Sequence, residues 1–271
     1  MTPSLTLAST DGVTFLTDVA LFAETGIRVA FSQRHGGSSN APYASLNLGA
    51  YVEDDPSAVR ANRQIFCESL GLGDEACGRI NSACQIHGAH IEEAQFFMHE
   101  FPDTDALITN NEDIPLLLCF ADCVPVVIVA PDVRAISVVH AGWRGALAGI
   151  AGKTAQHLHD SYDADPAKMF AYIGPHIGLQ SFTIAHEIAT QFLNKSDTFS
   201  QDSYYANEDG SVNLDLGVFV QETLMRTGVL ACNIANSHID TVSNVSDYYS
   251  YRGERKVTGR HGALGCICSP S

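Results

Sequence analysis

Positive charge is scarce in this chain: 15 lysines and arginines face 31 aspartates and glutamates, a formal net charge of −16. An acidic excess of that size repels a phosphate backbone and an anionic lipid surface, so neither nucleic acid nor membrane is an expected partner. A small anionic ligand stays compatible, provided that a local cluster of arginines overrides the general field. A basic stretch followed by an apolar run is missing from the first residues, and no secretion signal is expected. The longest apolar stretch, residues 114–131, is interrupted by Asp122 and by Pro115 and Pro125; it reads as a buried strand pair, not a membrane span. A cytoplasmic protein is the expectation. Paired cysteines in a CxxC spacing are absent as well, which argues against a structural zinc ribbon. The cysteines at 67, 77, 84, 119, 123, 232, 266 and 268 are therefore expected as free thiols or as part of a metal site. Low-complexity segments and repeats at solenoid periods are lacking too.

What is present is enough apolar sequence, 45%, to build a sizeable core over 271 residues. A single domain spanning 1–271 is expected. Asp54-Asp55-Pro56 predicts a helix start, with an Asp cap and proline in the first turn; Val59, Ile65 and Phe66 face inward and Gly71 ends the helix after Leu70. Strands are predicted at 28–32, 114–120, 124–130, 135–140 and 169–173. Helices are predicted from the Gly142–Gly145 turn through about His159, at 184–193 and at 216–226. Strands and helices mix without a βαβ rhythm, which favours an α+β fold.

Three places carry residues suited to chemistry. The strand ending at His140 runs into Ala-Gly-Trp-Arg-Gly145, where glycines permit a tight turn, a helix opens, and Arg144 offers a fork for phosphate or carboxylate. A strand-to-helix turn with a core tryptophan accounts for the same residues about as well. Ala121-Asp122-Cys123-Val-Pro125 puts a thiol beside a carboxylate at a strand break, suited to a metal ligand or a nucleophile; Cys119, within a strand, illustrates the commoner buried thiol. Gln85-Ile-His87-Gly88 is the third, with His90 as a competitor. Two imidazoles and a thiolate leave one position of a tetrahedral ion open, the pattern of catalytic zinc. Their spacing alone does not establish that they converge.

The segments Arg34-His-Gly-Gly, Tyr43 to Gly49, Asp54 to Arg63, Gln85 to Gly88, Asp105 to Thr109, Ala121 to Pro125, His140 to Gly145, Ile173 to Gly178, Tyr249-Ser-Tyr-Arg252 and Thr258-Gly-Arg260 occur in this order and cover most of the chain. Together they resemble the YfiH-like family, also called laccase-domain or polyphenol oxidase proteins and described as purine nucleoside phosphorylases. The resemblance implies a single α+β domain with mixed sheets packed between helices, layered α/β/β/α. It implies a zinc ion on His87, Cys123 and His140, with copper able to compete in vitro. The implied reactions are phosphorolysis of adenosine, inosine and methylthioadenosine, and deamination of adenosine. Purine nucleosides and phosphate are the implied partners, and a monomer is expected. Arg63 joins the three metal ligands as a catalytic residue; Arg34, Asn47, Arg63 and Arg144 are the implied substrate or phosphate holders, with Arg252 and Arg260 less defined. Asn47 and Asp122 are candidates to orient a ligand or fix a histidine tautomer. Where relatives carry Tyr-Glu-Val, this chain has Phe182-Thr183-Ile184, so an acid is missing there.

Other readings compete. A copper polyphenol oxidase needs more clustered histidines and an axial methionine. An amidase editing a peptidoglycan precursor would use Cys123 as its nucleophile. A metal- or nucleotide-binding protein without activity is the third.

Overall fold

The computed structural model describes residues 1–98, 100–195 and 202–269. Two sheets form its centre. The five-stranded sheet is antiparallel throughout, in the order Thr6–Thr10, Val13–Thr17, Ile27–Ser32, His261–Ile267, Leu116–Phe120. The six-stranded sheet runs Ile234–Asn236, Phe170–Ile173, Val124–Ala130, Ala135–Ala141, Ala106–Thr109, Ile91–Glu93. Its two outermost pairings are parallel and the inner ones antiparallel.

Every residue of Val124–Ala130 and Ala135–Ala141 is buried, because both faces of the six-stranded sheet are covered. On one face Phe31, Leu116, Leu118 and Ala263 of the smaller sheet meet Val127, Val129, Ile136 and Val138. On the other, Ala151, Ala155 and Leu158 of helix Ile150–Tyr162 and Phe219 and Val220 of helix Leu216–Arg226 pack on Val126, Ile128 and Val139. Helix Pro56–Ser69 closes the far face of the smaller sheet, with Phe66 and Cys67 against Ala30, Leu117 and Leu264. The layers are thus α/β/β/α, as the resemblance implies. Removal of this much apolar surface from water drives the stacking.

Several elements follow the sequence reading. Asp55 caps helix Pro56–Ser69, its carboxylate accepting from Ser57 N, and Gly71 beyond its end has φ +73°. Others differ. The apolar stretch after Ile114 is not a strand pair: Leu116–Phe120 belongs to one sheet and Val124–Ala130 to the other. The link Ala121-Asp122-Cys123, with Asp122 at φ +93°, hands the chain across. The helix expected from 143 to 159 is two helices, Trp143–Leu147 and Ile150–Tyr162, parted where Gly149 takes φ +76°. The helix expected from 184 starts at His186, since Thr183–Ile184 pairs as a strand with Val212–Leu214.

Candidate metal centre and its cavity

The hand-over between sheets builds the site. Cys123 ends the crossing, His140 lies in the last strand before Gly142, and His87 sits in the loop before Ile91–Glu93, held at φ +62°. The ligand atoms of His87, Cys123 and His140 all lie within 4.8 Å of one another. Tetrahedral zinc, with bonds of about 2.0–2.3 Å, sets neighbouring ligand atoms about 3.3–3.8 Å apart, so a small closing movement suffices. His140 is buried, Cys123 half-buried and His87 exposed, which leaves one side of the cluster open to a ligand. The imidazoles meet edge to face, ring centres 4.9 Å apart. A Cβ at Gly142 would stand 2.9 Å from His87 Cδ2 and 3.2 Å from Cys123 Sγ; a larger residue there would displace two of the three donors. The competitor His90 is exposed and paired with Glu92.

One carboxylate organises the cluster. Asp105, fully buried, accepts from His140 Nδ1–H at 2.8 Å and from the backbone N–H groups of His87 and Gly88 at 3.0 and 2.6 Å. With Nδ1 engaged, His140 turns Nε2 toward the donor cluster. Asp105 carries the role that the sequence reading considered for Asn47 and Asp122. Asp122 instead accepts from the Thr241 and Ser250 hydroxyls at 2.7 Å and from Arg252 N at 2.6 Å, tying residues 241–252 beneath the crossing. The available signal was an aspartate opening a strand buried at every position, Ala106–Thr109.

Burial opposes charge on Cys123, yet the positive His140 beside it and hydrogen bonds from His140 and His87 pull its thiol down to about 6. Burial likewise opposes a proton on His140, but the Cys123 thiolate and the bond to Asp105 raise it to about 9. In metal-free protein a thiolate–imidazolium pair therefore occupies the window between these values. The depressed thiol contributes stability that is lost as pH falls through about 6, and the raised imidazole contributes stability that is lost as pH rises through about 9. Alkylation of Cys123 by iodoacetamide in metal-free protein is expected to hold its plateau rate down to about pH 6, and saturating zinc is expected to suppress it. A rate rising only through the ordinary thiol range would contradict the pair. A bound zinc would occupy the thiolate lone pair that attacks iodoacetamide, and, needing the thiolate and a neutral imidazole, would release a proton on binding.

The cluster opens into a cavity of about 590 Å³ lined by Arg63, Arg144, Arg252 and Arg260, with Ile177, Phe182 and Leu216 as an apolar wall. Among the described residues the arginine ion pairs are those of Arg34, Arg79, Arg134 and Arg226; the cavity arginines have no carboxylate partner. Arg63 is braced through Nε to Leu48 O at 2.9 Å, and Arg260 through Nη1 to Thr258 O and Gly259 O, each at 2.9 Å. Arg34 and Asn47 do not reach the cavity. The Arg34 guanidinium binds Val245 O at 2.6 Å and Glu254 at 2.9 Å and stacks on Tyr249. The Asn47 side chain is fully buried, accepting from Gly49 N and Arg260 N and donating to Asp54. Asn47 braces the loop that carries Leu48 and Gly49, and Arg34 ties Ala44 and residues 245–254 together.

Residues 28–268 match the family described as multi-copper polyphenol oxidoreductase laccase. The chain belongs to that family. It is 32% identical over 249 residues to the purine nucleoside phosphorylase YlmD of Geobacillus stearothermophilus, covering 87% of this chain and 88% of that protein. It is 32% identical over 237 residues to the purine nucleoside phosphorylase SCO2081 of Streptomyces coelicolor, covering 87% and 93%. The crystal structure of the hypothetical protein YfiH of Bacillus licheniformis superposes with a TM-score of 0.86 at 26% identity, over 93% of this chain and 96% of that one. The fold and the family expected from the sequence are thereby established. No helix among the described residues is long and apolar enough to cross a membrane.

Proposed function

We propose that the chain is a purine nucleoside phosphorylase acting on adenosine, inosine and methylthioadenosine, that it holds zinc on His87, Cys123 and His140, and that it also deaminates adenosine. The observation that carries the proposal is a His–Cys–His donor set opening into a cavity with four uncompensated arginines. The relatives' names supply the substrate class. Bound zinc supplies Lewis-acid chemistry at its open position. In phosphorolysis the bond from purine nitrogen to ribose C1′ breaks, a bond from phosphate oxygen to C1′ forms, and the departing base takes a proton. Arg63 and Arg260, half-buried and braced on backbone carbonyls, hold the phosphate as preorganised forks. Ile177, Phe182 and Leu216 give the purine an apolar wall. Deamination replaces the 6-amino group with oxygen from water and releases ammonia, so it needs no phosphate holder.

The deciding experiment is release of adenine from adenosine by metal-quantified protein with and without inorganic phosphate. Phosphate-dependent release with about one zinc per chain is expected; no release at any phosphate concentration overturns the reading. Arg63→Ala is expected to lower kcat/KM for phosphorolysis about 10- to 100-fold, the range of one charged hydrogen-bonding contact, with a much smaller loss in deamination. Equal losses in both reactions would assign Arg63 to the fold or to the nucleoside.

The family's description favours a second reading, a copper polyphenol oxidase. A multi-copper centre needs several histidine clusters. Among the described residues one group of three donors suits a metal. The His157-Leu-His159 pair is elsewhere engaged, with Glu93 at 3.1 Å and Ala164 O at 2.9 Å. Stoichiometric copper with strong blue absorption in protein purified without added metal would restore the oxidase reading.

A further inference from the structure

The cavity arginines fall into two settings. Arg63 and Arg260 are half-buried and share a floor. Arg63 Nε donates to Leu48 O, a Cβ at Gly49 would stand 2.6 Å from Arg260 Cγ, and both guanidiniums lie near the Cys119 thiol, which itself donates to Leu48 O at 3.3 Å. Arg144 and Arg252 are exposed and belong to the rim. Arg144 lies over the Trp143 ring, 4.1 Å from its centre. Arg252 is anchored by its backbone N–H to Asp122 at 2.6 Å, with Nη1 3.4 Å from Ser181 O and 3.5 Å from Thr183 O. The second of these acceptors is the weaker. Phe182, between those two acceptors in the chain, contributes to the apolar wall.

Charge arithmetic separates these settings. One inorganic phosphate carries about −2 and is satisfied by one or two guanidinium forks. The cavity offers four guanidiniums, none in an ion pair among the described residues, against one lining carboxylate, Asp122, which is engaged by Thr241, Ser250 and the Arg252 backbone, in a chain whose carboxylates outnumber its basic residues 31 to 15. With the floor pair taking the attacking phosphate, the rim pair remains uncompensated.

We propose that Arg144 and Arg252 form a second anion subsite at the cavity mouth, and that it takes a phosphate carried by the purine substrate itself, so that purine nucleoside 5′-monophosphates bind in preference to unphosphorylated nucleosides. This rests on the cavity being a purine nucleoside site. An ester phosphate suits the rim better than a carboxylate does, because its three free oxygens can be shared between two forks. It also remains partly in water there, while the ribose spans toward the floor. A cavity of about 590 Å³ is within the range that encloses small-molecule ligands.

The test is stopped-flow fluorescence of the single tryptophan, Trp143 in the cavity lining, in metal-quantified protein, read before turnover on mixing with adenosine and with adenosine 5′-monophosphate, each with and without saturating inorganic phosphate. The monophosphate is expected to bind at least about tenfold more tightly, the factor one charged contact supplies, and to keep that advantage when phosphate fills the floor. Arg252→Ala and Arg144→Ala are each expected to shrink the ratio of the two affinities severalfold. Arg252→Lys, which keeps charge but loses the fork, is expected to fall between wild type and alanine. Equal affinities for the two ligands in the wild type overturn the rim subsite while leaving the nucleoside reading intact. An advantage erased competitively by phosphate also overturns it, because both anions would then share one subsite. Failure of both ligands to bind overturns the nucleoside reading itself.

Discussion

Cys123→Ala is expected to lose bound zinc and nucleoside turnover together. Structural zinc binds with about 10–16 kcal/mol over four ligands, so one ligand contributes about 3 kcal/mol, a factor of about 10² in affinity. The thiolate is the only anionic donor among His87, Cys123 and His140, so its loss should reach at least that factor. Chelator competition measures it directly. Cys123→Asp and Cys123→His should retain part of the metal, since both side chains ligate zinc. Cys119→Ala is the control: that thiol donates to Leu48 O, and its removal should leave metal content intact. The result also separates a rival mechanism. Asp105, His140 and Cys123 stand in the order of an orienting acid, a base and a nucleophile, with Asp105 Oδ1 2.8 Å from His140 Nδ1. An amidase acting on a peptidoglycan precursor would use them so. Cys123→Ala protein that kept full zinc but lost turnover, with a substrate adduct on the wild-type thiol by mass spectrometry, would establish the nucleophile instead.

Asp105→Asn is expected to weaken zinc about 10- to 100-fold, the usual cost of losing a carboxylate behind a ligating histidine, although no ligand changes. Asp105 Oδ1 accepts from His140 Nδ1–H and His87 N, and Oδ2 from Gly88 N. An amide has a single acceptor oxygen. Placed toward Gly88, that oxygen leaves an NH₂ facing His140, which favours a proton on Nε2, the atom needed for zinc. Placed toward His140, it leaves the NH₂ facing the Gly88 amide, and the loop carrying His87 keeps the bond from His87 N but loses the one from Gly88 N. The unmet buried donors should also lower metal-free stability by about 1–3 kcal/mol. Unchanged zinc affinity in Asp105→Asn would remove Asp105 from the site.

Local chemistry made some elements legible. An aspartate cap, a proline in the first turn and a following glycine bound the helix at 56–69 without reference to the rest of the chain. The partnership of Leu116–Phe120 with His261–Ile267, and of Val124–Ala130 with Phe170–Ile173, depends on contacts far along the chain. No local pattern separates two consecutive buried strands in one sheet from two in different sheets. His87, Cys123 and His140 stood out by residue type and strand-end position, but only the motif resemblance joined them into one site, because convergence of residues so far apart is a tertiary property. Arg34 and Asn47 show the limit of that route. Both lie in matched motifs, but Glu254 neutralises Arg34 from 220 positions away, and motif membership does not separate a brace from a ligand holder. Asp105 lies in a matched segment too, but its hydrogen bonds to His140, His87 and Gly88 cross between elements distant in the chain, so its role was not legible there.

The placement of charge makes the mouth a filter by size. The acidic excess is a property of the whole chain, while four arginines are gathered inside one cavity. At physiological ionic strength each charge is felt over about 8 Å. A nucleic acid strand that brings one phosphate to the mouth lays its neighbours along the surface of a chain of net charge −16. A free phosphate or a mononucleotide has no neighbours to lay down. At the mouth it meets the guanidiniums of Arg144 and Arg252. Discrimination between a monomeric and a polymeric anion therefore needs no dedicated gate; it follows from gathering positive charge around a single opening.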